Sequence, residues 1–91
     1  MNVTKIDSRT VKTYVVSIED GEIRPQPYSS SGREYRVASV TVVKREGNVS
    51  SVELRGQVLK KDGTEGANPA RESIWEREWP QWLRSIVGGL A

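Results

Sequence analysis

The chain has 91 residues, with 14 Lys+Arg against 12 Asp+Glu for a net charge of +2, and it contains no Cys and no His. Without Cys there are no thiol nucleophiles, thiolate metal sites or disulfides. Without His there are no imidazole bases, Ser-His-Asp relays or His-ligated metals.

Taken in chain order, the residues 1–7 lack the apolar core of a signal peptide. The first predicted strand runs from about Thr10 to Glu19, with Tyr14, Val16 and Ile18 on one side and Val11 and Val15 on the other. Asp20-Gly21 marks a turn. Gly21 to Gly32, with Pro25, Pro27 and the Ser29-Ser30-Ser31 run, reads as a loop. A second strand follows from about Arg33 to Arg45. Strict alternation there places Tyr35, Val37, Thr41 and Val43 on one face and Ala38, Val40 and Val42 on the other. Glu46-Gly47-Asn48 reverses the chain into a third strand, about Val49 to Lys60, because Gly and Asn tolerate positive φ. In that strand Val52, Leu54 and Val58 form the dry side, and Ser51, Glu53, Arg55 and Gln57 the wet side.

Beyond Asp62-Gly63 the pattern becomes helical. Asn68-Pro69 resembles a helix entry, predicting a short helix over 69–78, with a fourth strand over 72–79 as the alternative. Pro80 breaks the run and starts a final helix, which extends to about Val87 before Gly88-Gly89. The predicted fold is thus a single α+β domain over 1–91, a three-stranded antiparallel β-meander followed by short C-terminal helices packed on one face. The expected core comprises Val52, Leu54, Val58, Trp75, Trp79, Trp82, Leu83 and Ile86.

Hydrophobic residues are only 35% of the chain. A domain this small buries roughly 60–65% of its unfolded surface, so its core is thin. Strands one and two nevertheless carry apolar residues on both faces, and the predicted helices shield just one. Val11, Val15, Val37, Thr41 and Val43 are therefore the candidate interface residues, for a homodimer or for another protein.

The charges are uneven. Residues 24–61 hold eight basic residues against three acids. Tyr28, Arg33, Tyr35, Arg36, Lys44, Arg45, Lys60 and Lys61 mix rings with cations, as single-stranded nucleic-acid sites do, and they define the alternative reading. Glu72, Glu76 and Glu78 are the densest carboxylate set and the sole basis for an acid/base or metal site, but a solvated helix face explains them better. No phosphate-loop glycine pattern is present, and no cofactor or small-molecule substrate is expected. No apolar run approaches the ~18 residues of a membrane span, so the expected location is the cytoplasm.

Leu54-Arg55-Gly56, Leu59-Lys60-Lys61-Asp62-Gly63-Thr64 and Trp79-Pro80-Gln81-Trp82-Leu83-Arg84 resemble stretches of small accessory proteins from bacteriophages of actinobacteria. The resemblance spans residues 54–87. It implies a binder of a host protein in the bacterial cytoplasm, and it carries over no functional residue. The expected function is thus non-enzymatic protein–protein interaction.

Overall fold

The structure is a computed structural model, which describes residues 3–7, 10–26 and 32–90. Six strands form one antiparallel sheet: β1 (Val3–Asp7), β2 (Val11–Ser17), β3 (Ile23–Pro25), β4 (Glu34–Arg45), β5 (Asn48–Leu59) and β6 (Glu65–Ser73). A single 3-10 turn, Glu76–Glu78, then leads to helix α1, Gln81–Gly88. The sheet order is β1-β2-β4-β5-β6, with β3 also on β4. The fold is α+β as expected, but the sheet has six strands rather than three.

The predicted β4–β5 hairpin is present. Its turn places Glu46 at φ 52° and Gly47 at φ 84°, the region that glycine enters without strain. Elsewhere three expectations are corrected. First, the segment read as a loop from Gly21 to Gly32 contains β3, whose Ile23, Arg24 and Pro25 pair with Arg36, Tyr35 and Glu34. β2 and β3 form one interrupted strand along β4. The register passes from Ser17↔Ser39 to Ile23↔Arg36, which leaves three extra residues in a kink. Residues 27–31 lie outside the described residues.

Second, no α-helix forms over 69–78: β6 runs through Ser73, so the alternative strand over 72–79 holds only at its first two residues, and Glu76–Glu78 make the 3-10 turn. Asn68-Pro69 lies inside β6, where Pro69 pairs with Gln57. β6 is an outer strand of the sheet, and there a residue without an N–H costs no ladder bond on its open side. The helix-cap reading failed because the pairing with β5 outweighed a local signal.

Third, β4 does not alternate strictly. A bulge between Val37 and Ser39 shifts its register against β5 by one residue. An extra residue exchanges the faces beyond it. Tyr35 and Val37 before the bulge therefore share a face with Val40 and Val42 after it, and all four are buried. Two glycines admit this irregular backbone. A Cβ on Gly21 would lie 1.9 Å from the Val37 carbonyl oxygen, and one on Gly56 would lie 1.8 Å from that of Arg36.

The core lies on this one face. Tyr14, Val40, Val42, Val52, Leu54, Val58, Ala70 and Ile74 meet Leu83 and Val87 of α1, and Ile18, Trp79, Trp82 and Leu90 pack around them. Ile86 is half-buried. Trp75, expected in the core, is 72% exposed. It precedes the 3-10 turn, in the segment that has already left the sheet. No helix among the described residues is long and apolar enough to cross a membrane.

Candidate functional site

Opposite residues of an antiparallel pair share a face, so the register determines what the second side of the sheet presents. One row crosses it as Ile6, Thr13, Val43 and Ser51, and the next as Thr4, Val15, Thr41 and Glu53. Val11, opposite Arg45, borders them. Val11, Val15, Thr41 and Val43 are half-buried by their neighbours within the sheet, and Ile6 is 62% exposed. α1 packs on the other face, so these side chains form a bare apolar strip among the described residues. It gives way on β5 to Ser51, Glu53 and Arg55, the last two joined by an ion pair.

Four of the five predicted interface residues therefore come together. The exception is Val37, which is 1% exposed in the core. Alternation assigned it to the wrong face because the bulge follows it. Ile6 is the residue that sequence reasoning missed, since five residues of mixed polarity give a weak strand signal.

The predicted nucleic-acid set disperses. Arg33, Lys60 and Lys61 line one cleft of about 360 Å³ with Gly32, Glu34, Leu59 and Gly63. In the adjoining turn Asp62 accepts from the Thr64 amide and hydroxyl at 3.0 and 2.6 Å, and those bonds lower its pKa from the ordinary carboxylate value. Lys44 and Arg45 lie at the far end of β4, about 35 Å away at ~3.4 Å per residue. Lys44 Nζ donates to the Leu90 carbonyl at 2.9 Å and stands 5.7 Å from the Tyr14 ring centre. Arg36 donates to the Gly21 carbonyl at 3.1 Å. Tyr35 is fully buried and has no face to offer a base. Tyr28 lies outside the described residues.

Tyr35 belongs instead to a polar chain that ties four elements together. Its hydroxyl donates to Glu72 Oε1 of β6 at 2.8 Å, and Arg24 Nε of β3 donates to the same oxygen at 2.9 Å. Arg24 also meets Glu22 at 3.5 Å, and Glu22 accepts from the Trp82 indole of α1 at 2.7 Å. Burial, reinforced by the bond to the Glu72 carboxylate, holds the Tyr35 phenol far above its usual pKa. For Arg24, burial pulls the pKa down, but the hydrogen bond and charge of Glu72 outweigh it and leave a net rise. The chain acts as a brace that links β3, β4 and β6 to α1. Glu72 thus stands apart from Glu76, which lies in the 3-10 turn. Among the described residues no three carboxylates converge as a metal site would require.

Comparison with protein-family models, curated proteins and solved structures finds no match to this chain.

Proposed function

We propose that this chain is a non-catalytic protein-binding domain whose contact surface is the bare face of its sheet, and that its first partner is a second copy of itself. The observation that carries the reading is the strip of Ile6, Val11, Val15, Thr41 and Val43 on the face opposite α1. Five strands about 4.8 Å apart and up to ~40 Å long present a face of the size that stable dimers bury, roughly 800 Å² per partner. Two such faces stack about 10 Å apart as a sandwich, with the same strip contributing from both sides. Following the resemblance of residues 54–87 to phage accessory proteins, we place this activity in the cytoplasm of a bacterial host.

Sedimentation equilibrium tests it. The wild-type chain is expected as a dimer, and Val15→Lys as a folded monomer. A wild-type chain that remains monomeric at high micromolar concentration overturns the self-association. A host protein captured by wild type and lost with Val15→Lys would then move the same face to a different partner.

A second reading rests on Arg33, Lys60 and Lys61 lining one cleft. It assigns that end to the phosphates of single-stranded nucleic acid. Gel shifts that weaken steeply with salt, and vanish in Lys60→Ala/Lys61→Ala, support it. No shift at low salt removes it.

A further inference from the structure

The two sides of β5 are unequally occupied. Along β4 it is paired from Asn48 to Val58, but β6 pairs with it only from Glu53 to Leu59. The last main-chain bond on that side is from the Ile74 amide to the Val52 carbonyl, at 3.1 Å. Beyond it the chain turns away from the sheet. The far edge of Val49, Ser50 and Ser51 therefore has no strand beside it among the described residues, and all three residues are exposed.

The departing segment is held in place. The Trp79 indole donates to the Ile74 carbonyl at 3.3 Å. Arg84 of α1 donates to the Glu76 and Trp79 carbonyls at 2.8 and 3.2 Å, and its guanidinium lies 5.9 Å from the Trp79 ring centre. The open edge therefore faces a preformed cleft of about 530 Å³, whose walls include Val49, Val52, Ile74, Trp75 and Trp79. Of its lining residues only Glu76 is charged, and its carboxylate has no ion-pair partner among the described residues. Two exposed large apolar side chains, Trp75 at 72% and Val49 at 40%, stand at this cleft.

Unpaired strand backbone is matched by another strand, and an exposed Trp beside a cleft is the residue type that most often anchors a contact. We propose that the Val49–Ser51 edge of β5 is a strand-addition site for a short extended peptide of a partner protein. The peptide continues the line of β6, seats one apolar side chain between Val52, Ile74, Trp75 and Trp79, and sets a Lys or Arg against Glu76. The charge balance selects the basic residue, since Glu76 is the one charged side chain lining the cleft among the described residues, and the nearby Arg84 is engaged with main-chain carbonyls. The length of the edge selects a peptide over a second folded copy. Three residues give about 10 Å of open edge at ~3.3 Å per residue, enough to pair with a short extended peptide and too short for an extended edge-to-edge ladder between two sheets. The register shift between Val43 and Lys44 falls opposite Ser50, inside this segment, and leaves Ser50 without a counterpart on β4.

The test selects a randomised library of peptides about eight residues long on the immobilised chain, with counter-selection on Trp75→Ala. Trp75 is exposed, so its removal spares the fold. Enriched peptides are expected to alternate apolar and polar residues and to carry Lys or Arg. A synthetic copy of the enriched sequence should lose about tenfold or more in affinity with Trp75→Ala and lose its basic preference with Glu76→Gln. Exchange of the edge-facing amides in Val49–Ser51 should slow when it binds, and N-methylation of its ladder amides should abolish binding. No enrichment over Trp75→Ala overturns the site. Binding that survives N-methylation, or leaves those amides unprotected, overturns strand addition. Peptide binding retained in Val15→Lys separates this site from the bare-face contact.

Discussion

The two faces of this sheet are made from similar residues and differ in what covers them. On one, Val40, Val42 and Leu54 reach 0% exposure in a core that Leu83 and Val87 of α1 complete. On the other, Val11, Val15, Thr41 and Val43 stop at half-burial, because the sheet alone shelters their flanks. β-branched residues fit a pleated surface on either side, so strand propensity says nothing about which side is dry. The lesson is that covering an element, rather than composing it, turns a valine from a strand former into a stabilising contact.

That contrast can be broken from the dry side first. Leu54→Ala removes a fully buried side chain and should cost about 2–5 kcal/mol in chemical denaturation. Glu72→Gln withdraws the charge shared by Arg24 and Tyr35 and should cost about 1–3 kcal/mol by the same measurement. High pH acts on the same brace. The Tyr35 pKa is raised in the folded state, so its contribution is complete below the unfolded value of about 10. Above that value the unfolded chain releases the proton more readily, and stability should fall by about 1.4 kcal/mol per pH unit. Denaturation midpoints from pH 9 to 12 read this, and Tyr35→Phe should flatten the decline. The smallest effect belongs to the bare face. Val15→Ser, measured at dilution, should change stability by no more than about 0.5 kcal/mol while weakening self-association. A Val15→Ser loss as large as that of Leu54→Ala would mean that the second face is already covered within one chain.

Several parts of this architecture were legible in the residues. The Glu46-Gly47-Asn48 signal located the β4–β5 reversal through Gly47, which takes φ 84°, while Glu46 at φ 52° adopts a conformation its residue type did not announce. Alternation gave β5 its dry and wet sides, and Pro80 with Gly88-Gly89 bracketed α1. Val11, Val15, Thr41 and Val43 were recognised together because apolar residues recurred on both faces of their strands. Val37 was misassigned because a bulge leaves no mark on a period-two pattern until the neighbouring strand is in place. Trp75 was misassigned because it was read on the apolar stripe of a helix over 69–78, whereas it follows β6 and precedes the 3-10 turn, outside the core.

The residues alone determined which chemistry is closed to this protein, where β4 and β5 meet, and that apolar side chains outnumber what one helix can shelter. Local signals are enough for these, since a missing imidazole, a turn glycine and a helix-breaking proline act through their own bonds. Tertiary structure decided that Asn68-Pro69 lies in a strand, that Tyr35 serves a brace rather than a surface, and that Val37 belongs to the core. It also left the outer edge at Val49–Ser51 without a neighbouring strand among the described residues. Each of these depends on a partner distant in sequence, because ladder hydrogen bonds and burial are set by what lies alongside.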